Sequence, residues 1–558
     1  MKEKLKEILD TTLDHCMAGG LLKETAVPDY VIEVPNNPDH GHFATNLPMI
    51  LASTQKTAPR RIAEVLTGHL QDPGNFFEKV EVAGPGFINF TIDRGRWHSA
   101  LADMVRRAEN FGRGKPRPED RFNVEFVSAN PTGPLHLGHG RGAALGDTLC
   151  RILAFRGRSV TREFYVNDAG LQIRLLGESI LSRIRQMTDP DAPFPENGYH
   201  GDYVLDLARE IAADRAIEAM EEEDAIDYCA RQGKARMLKE IQEDLERFGV
   251  RFDVWYSEKQ LLDSGSLDRA LERLDRAGLL YEEGGALWIR TSRFGDDKDR
   301  VIRKSDGRFT YFASDIAYHL DKRERDFTRS VDLWGADHHG YVSRLRGAMA
   351  AFDIPGEWFS VLLIQLVKLW KGGNEVKMSK RAGTYVTLRE LMDEVGVDAV
   401  RFVFLTKSHD SPLDFDVDLV KKKDSDNPVY YVQYAHARIC SVFRKAREEG
   451  IGLPRDLERC AARLVLEEEM AMIRRMTEFP SLLEDICRVF EPHRLTYYLT
   501  GLAAAFHRYF NLGTKNPQHR IVVEDRELAG ARLLLAAGVR TVLANGLALL
   551  GVSAPEKM

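Results

Sequence analysis

Six cysteines are scattered through 558 residues, and no two of them form a C-x-x-C pair. That spacing excludes a zinc knuckle of the usual kind and a disulfide scaffold, and leaves buried free thiols in a reducing compartment as the expected state. A surplus of positive charge is also missing: 78 Lys and Arg stand against 85 Asp and Glu, a formal net charge of −7. With no global cationic field, a polyanionic partner would have to be held by local basic surface. There is no internal repeat and no low-complexity tract, and 44% hydrophobic with 29% charged residues is the make-up of a folded globular chain, not a disordered one. The opening residues, Met1-Lys2-Glu3-Lys4-Leu5-Lys6-Glu7, start an amphipathic helix without an apolar leader core, and no run is expected to reach the roughly 18 apolar residues of a spanning helix. These absences lead to the expectation of a cytoplasmic protein with no membrane segment.

The length exceeds what one hydrophobic core usually supports, so three regions are expected. Residues 1–115 read as a small α+β domain with a linker. It opens on a helix and closes on two alternating strands, 79–82 and 87–92, joined by the turn Ala83-Gly84-Pro85-Gly86. Residues 116–415 read as a doubly wound parallel α/β sheet. Strand 124–127, helix 140–155 and strand 160–166 make one right-handed crossover. Strand 331–334, a helix near 341–352 and the apolar strand 361–367 make the other half. The charged helical stretch around 175–300 reads as an insertion whose acidic runs are solvated faces. From 416 to 558 helical periodicity continues almost without strands, which predicts an all-helical bundle.

Two short strings carry the chemistry. His136-Leu137-Gly138-His139 lies between a strand and a helix, so it sits at a helix N-terminus where unpaired N–H groups and a partial positive charge favour an anion. Two imidazoles there can donate to phosphate oxygens, and Gly138 keeps side-chain bulk away from a ligand. Lys377-Met378-Ser379-Lys380, far along the chain, is a cationic loop suited to the leaving end of a triphosphate. Each string alone is commonplace. In this order and context they read as the two ends of one ATP site.

The run from Val124 to His139, Val-Glu-Phe-Val-Ser-Ala-Asn-Pro-Thr-Gly-Pro-Leu-His-Leu-Gly-His, resembles the signature of the arginyl-tRNA synthetases, a class I aminoacyl-tRNA synthetase family of Rossmann-like fold. Four further segments resemble the same family: Tyr165-Val166-Asn167-Asp168-Ala169-Gly170-Leu171-Gln172, Tyr311-Phe312-Ala313-Ser314-Asp315-Ile316-Ala317-Tyr318, Gly335-Ala336-Asp337-His338-His339-Gly340, and the run from Asp426 to Arg438. The resemblance spans nearly the whole chain and takes the bacterial form, with His338-His339 where many class I relatives carry Gln.

The resemblance implies an enzyme that joins arginine to its tRNA through an arginyl-adenylate, using ATP with Mg2+ as substrate and no resident zinc. It implies that His136, His139, Lys377 and Lys380 act on the phosphates, and that Gly138, Gly335, Asp337, His338, Met378 and Ser379 complete the nucleotide site. Guanidinium is planar, permanently charged and carries five donors, so its pocket needs acceptors. By resemblance these are Asp315 and Tyr311, on one helix face, with Glu125 nearby. Ser128, Asn130 and His139 would hold the α-amino and carboxylate end, and Asn167, Asp168 and Gln172 would contact arginine or stiffen the pocket. For tRNA, the resemblance points to Phe87 and Asn89 at an unpaired outer-corner base and to Tyr431, Tyr434 and Arg438 at the anticodon. A monomer without a membrane partner is expected on the same ground. The alternatives are a class I synthetase for another amino acid, which the absent zinc cysteines and Asp315 weigh against for the cysteinyl and glutamyl enzymes, or a catalytically silent tRNA-binding paralogue, which would not need the two histidines and two lysines.

Overall fold

The computed structural model describes all of the chain except residues 73, 169, 214–216, 218 and 377–385. Near the N-terminus, helices Lys2–Ala18, Leu47–Gln55 and Pro59–Gly68 accompany a four-stranded antiparallel sheet in the order Ile32–Glu33, Phe43–Thr45, Phe87–Ile92, Phe77–Ala83. The Gly-Pro-Gly turn closes the last hairpin with Ala83 opposite Phe87. Gly86 has φ +148°, and a Cβ there would stand 2.7 Å from Pro59 Cβ, so the turn needs glycine for both conformation and space.

The central sheet is parallel, in the order Phe359–Ile364, Arg329–Gly335, Arg117–Glu125, Arg158–Val166, Val254–Ser257. The chain winds outward from Arg117–Glu125 to one edge and returns beside it through Arg329–Gly335, so the strand order reverses between these two. Two expectations are corrected here. The stretch 175–300 does contain helices, Leu171–Gln186, Asp202–Ala212 and Glu222–Arg247 among them, but it also supplies the fifth strand of the central sheet and a separate three-stranded antiparallel sheet. The single strand expected over 361–367 is two strands, Phe359–Ile364 in the central sheet and Val367–Lys371 in another. The break falls where the Gln365 carbonyl leaves the ladder and accepts from Arg141 Nη1 at 2.8 Å.

The helix Leu137–Phe155 runs through the middle of the molecule and is buried over most of its length. Its glycines follow from that position. A Cβ at Gly146 would meet Phe126 Cγ at 2.3 Å, and one at Gly140 would meet Leu388 Cδ1 at 2.7 Å, so both glycines leave room for these side chains to pack against the helix.

The C-terminal third is helical: Pro428–Glu448, Leu457–Ala461, Glu467–Thr477, Phe479–Val489, His493–Lys515 and Arg526–Leu550. The last of these is long and apolar enough to cross a membrane by length and composition, which corrects the expectation that no run is. Its apolar surface is taken up inside the bundle, where residues 529–539 are buried without interruption. Helix Arg94–Arg107, expected with the first region, packs on this bundle: Trp97, Leu101 and Met104 are buried, and His98 Nε2 meets the Leu464 carbonyl at 3.1 Å. Glu484 of the bundle binds Arg156 Nε at 2.9 Å and Arg158 Nη2 at 2.6 Å, joining it to the turn that precedes strand Arg158–Val166.

Candidate active site

In an open parallel sheet the crevice at the carboxyl ends of the strands, where strand order reverses, is where ligands lie. Here it is bordered by the ends of Arg117–Glu125 and Arg329–Gly335, and both carry residues expected at the nucleotide and arginine sites.

On the first side, strand Arg117–Glu125 is followed by a turn at Val127 and Ser128, which have φ +69° and +39°. A left-handed Val is costly, so the turn is held by its surroundings. It aims Ser128 Oγ at Glu125 Oε1, to which it donates at 2.9 Å, while Ser128 Oγ itself accepts from the Tyr165 N–H at 3.1 Å. Asn130 Nδ2 donates to Gln172 Oε1 at 2.6 Å. His136 then caps helix Leu137–Phe155, its Nδ1 accepting from the N–H groups of Gly138 at 3.1 Å and His139 at 3.4 Å. The His139 ring reciprocates on the His136 N–H, and the two rings stack with centroids 3.6 Å apart. Because both Nδ1 atoms accept, each neutral ring carries its proton on Nε2, the nitrogen that can donate to an oxyanion. The structure also revises the reason for Gly138: a Cβ there would press on the His136 ring at 3.0–3.1 Å, so this glycine makes room for the cap itself.

On the second side, Gly335, Asp337 and His338 follow the strand end, with the Asp337 side chain 83% exposed. A Cβ at Gly335 would lie 2.5 Å from Asp337 Oδ1, so the glycine lets the aspartate fold back over the strand end. Lys377, Met378, Ser379 and Lys380 lie outside the described residues. Strand Asn374–Val376 precedes them, and beyond them Thr387 forms a backbone bridge to His136.

Helix Tyr311–Glu324 brings its first turns to the same end of the sheet. Tyr311 is 62% exposed, whereas Asp315 accepts a hydrogen bond from the Tyr341 hydroxyl. Burial pushes the Asp315 carboxyl up from its ordinary range, and the Tyr341 bond opposes that. Glu258, buried at the start of helix Glu258–Asp263, is pushed up to about 7 by burial and by the Asp315 charge. Sequence reasoning missed Glu258 and Tyr341. The signals available were the Ser257 cap before a short helix and the position of Tyr341 directly after the Gly335–Gly340 motif. Asp168 has a defined place: its carboxylate accepts from Ser257 Oγ at 2.9 and 3.0 Å and from the Lys259 N–H at 3.0 Å, so it fixes the turn that presents Glu258.

The residues expected at tRNA lie on other elements, the N-terminal sheet and the helix Pro428–Glu448. Ile88, Phe90 and Ile92 face the N-terminal core, Phe87 and Asn89 alternate to the other face as expected, and Asn89 is itself 8% exposed. In the bundle, Tyr431 packs on His507, and Arg438 lies 4.5 Å from the centre of the Tyr434 ring and 3.0 Å from His507 Nδ1.

The sheet order, the capped helix at one strand end and the Gly-Ala-Asp loop at the next place the chain among the class I aminoacyl-tRNA synthetases. Comparison with known families narrows this. Residues 105–414 match the catalytic domain of class I tRNA synthetases (R), residues 2–92 the arginyl tRNA synthetase N terminal domain, and residues 432–558 the DALR anticodon binding domain. The chain belongs to the arginyl-tRNA synthetase family. It is 49% identical over 562 residues to an arginine--tRNA ligase of Desulfosudis oleivorans and 47% identical over 560 residues to one of Syntrophotalea carbinolica, with 100% of both chains covered in each case. Its fold matches that of Thermus thermophilus arginyl-tRNA synthetase with a TM-score of 0.78 at 23% identity, covering 100% of both chains.

Proposed function

We propose that this chain joins L-arginine to its tRNA in two steps. In the first, an arginine carboxylate oxygen attacks the α-phosphorus of ATP, the bond from α-phosphorus to the bridging oxygen breaks, and pyrophosphate leaves. In the second, a hydroxyl of the terminal adenosine of tRNA attacks the arginyl carbonyl and AMP leaves. The observation that carries the reading is the placing of Asp315 and Glu258, two carboxylates that burial disfavours in charged form, Glu258 further by the Asp315 charge, beside the crevice where the histidine-capped helix begins. A guanidinium relieves that repulsion, whereas an acidic or neutral side chain does not.

In this reading His136 and His139 donate through Nε2 to the α-phosphate oxygens, whose charge grows in the transition state, so their effect is electrostatic rather than covalent. Asp337, held over the strand end by Gly335, accepts from the ribose hydroxyls, with His338 beside it. Lys377 and Lys380, with Met378 and Ser379 between them, take the β- and γ-phosphates, and Mg2+ enters with ATP as part of the substrate. Asp315, Tyr311, Glu258 and Glu125 receive the guanidinium, and Ser128, Asn130 and His139 the amino-acid end. Phe87 and Asn89 meet an outer-corner base, and Tyr431, Tyr434 and Arg438 the anticodon. The enzyme works as a cytoplasmic monomer without resident zinc. Among the described residues Glu125, His319 and Asp332 have the spacing of a metal trio, but the Lys322 ammonium binds two of them.

The test is arginine-dependent exchange of labelled pyrophosphate into ATP, with and without tRNA, against a panel of other amino acids. Exchange confined to arginine and dependent on tRNA is the expected result. Exchange with a different amino acid overturns the pocket, and none at all favours a silent paralogue.

A further inference from the structure

Across the middle of the central sheet, Asp332, Glu125 and Glu163 occupy one row: Asp332 pairs with Glu125 and Glu125 with Glu163 on neighbouring parallel strands. Residues in register on parallel strands project to the same face, so three carboxylates stand abreast, all within 7% exposure. Like charges placed side by side on a sheet repel, and more strongly away from water. One helix answers the row. From Tyr311–Glu324 and the residue that follows it, His319 Nε2 meets Asp332 Oδ2 at 2.8 Å, Lys322 Nζ donates to Glu125 Oε2 at 2.6 Å and to Asp332 Oδ1 at 2.9 Å, Tyr318 donates to Glu163 Oε1 at 2.6 Å, and Arg325 binds both Glu163 oxygens. Lys322 is fully buried. Seven residues before it, the same helix carries Asp315.

We infer that Lys322 is a positioning residue for arginine, an internal counter-cation that holds Glu125 as a fixed, charged acceptor and sets the register of the helix that presents Asp315. This rests on the arginine-pocket reading above. The ammonium takes Oε2 of Glu125, leaving Oε1 on the side of Ser128 and the strand ends. It also stands among the ligand atoms of Glu125, His319 and Asp332, which lie within 4.8 Å of one another and would otherwise suit a divalent ion. The site thereby carries its own cation and needs a single further one, the substrate guanidinium, at the Asp315 end.

The groups facing Glu125 set the direction of its titration. Lys322, His319 and Tyr318 face it from the helix, Asp332 from one neighbouring strand, and Glu163 and Tyr165 from the other. Burial pushes its carboxyl up, Lys322 is the strongest opposing influence, and Asp332 adds a smaller upward push. Removing Lys322 and Asp332 together therefore leaves net charge unchanged and Glu125 easier to protonate. A neutral carboxyl loses the charge-assisted bond to guanidinium, so arginine binding weakens as pH falls.

The experiment uses the full chain with tRNA. Lys322→Met alone leaves two carboxylates face to face and is expected to fold poorly, so the charge-balanced double variant Lys322→Met/Asp332→Asn is the working protein. Its arginine KM, relative to the parent, should rise severalfold toward the acid end of the range in which the variant stays folded, and should recover toward the parent value at the alkaline end, because Glu125 has lost the cation that opposes its protonation. The ATP KM should stay within about twofold throughout, since the phosphate end of the site is untouched. An arginine KM ratio that does not vary with pH in a folded double variant, or an ATP KM that moves in step with it, overturns the inference. Glu125→Gln is run in parallel: if it leaves the arginine KM unchanged, the pocket reading itself has failed at Glu125, whatever the pH curve of the double variant.

Discussion

Replacing Tyr341 by Phe removes one oxygen and nothing else. The ring sits edge-on to Phe312 with centroids 5.8 Å apart and 6.0 Å from Trp334, contacts that Phe keeps. What is lost is the hydroxyl that donates to Asp315. A hydrogen bond to a charged group contributes roughly 1.5–3 kcal/mol, part of which water or the substrate recovers, so about 1.4 kcal/mol, or roughly tenfold in the arginine KM, is the expected loss. The pH dependence has a definite sign. Burial already pushes the Asp315 carboxyl up and the Tyr341 bond opposes it; without that bond Asp315 protonates at higher pH, so arginine affinity in Tyr341→Phe fails at a higher pH than in the parent. The assay is arginine-dependent pyrophosphate exchange with tRNA at several pH values, with the ATP KM and thermal midpoint as controls. A folded variant with the parent's arginine KM at every pH would refute the role given to Asp315 and Tyr341 together.

His139→Ala should lower the activation rate by about 10²-fold or more with tRNA affinity little changed, since it removes a donor to charge that develops in the transition state; a large drop in tRNA binding, measured by filter retention, would count against the role. Asp168→Ala removes the acceptor for Ser257 and the Lys259 N–H. The expected cost is on the order of 1 kcal/mol in stability, together with a several-fold rise in arginine KM as Glu258 moves, and calorimetry with kinetics on one preparation reads both. Glu484 is disfavoured as an anion by burial, yet the Arg158 and Arg156 guanidinium groups hold its carboxyl down to about 2. Glu484→Gln should therefore lose on the order of 2 kcal/mol at neutral pH. A group with a depressed folded value contributes fully above its unfolded value of about 4.3 and loses that contribution as pH falls toward about 2, so the gap in thermal midpoint should narrow over that window. A gap independent of pH would show that the ion pairs are not its source.

The parts of this protein legible in its sequence are those governed by neighbours in the chain. A strand, a turn and a capped helix at His136 follow from residue types within a few positions, as do the Gly-Pro-Gly hairpin and the switch to helical periodicity after Asp418. The crossover order of the parallel strands was also within reach, because periodicity and handedness leave few alternatives.

Tertiary structure decided what depends on partners far away in sequence. The row of Asp332, Glu125 and Glu163 exists only once three strands adopt one register, and nothing near Lys322 marks it as the cation of that row. Strand Val254–Ser257 reads locally as part of a charged helical stretch and becomes a strand because Arg158–Val166 offers it an edge. Helix Arg94–Arg107 follows the N-terminal sheet in the chain but buries Trp97, Leu101 and Met104 against the bundle. Arg526–Leu550 has the composition of a membrane span and is instead a core helix, because the bundle supplies the apolar surroundings it needs. Capping, turn chemistry and periodicity act over a few residues and can be read along the chain, whereas the burial of a charge is tolerable only if its counter-charge arrives from another element, and that pairing is a property of the folded chain alone.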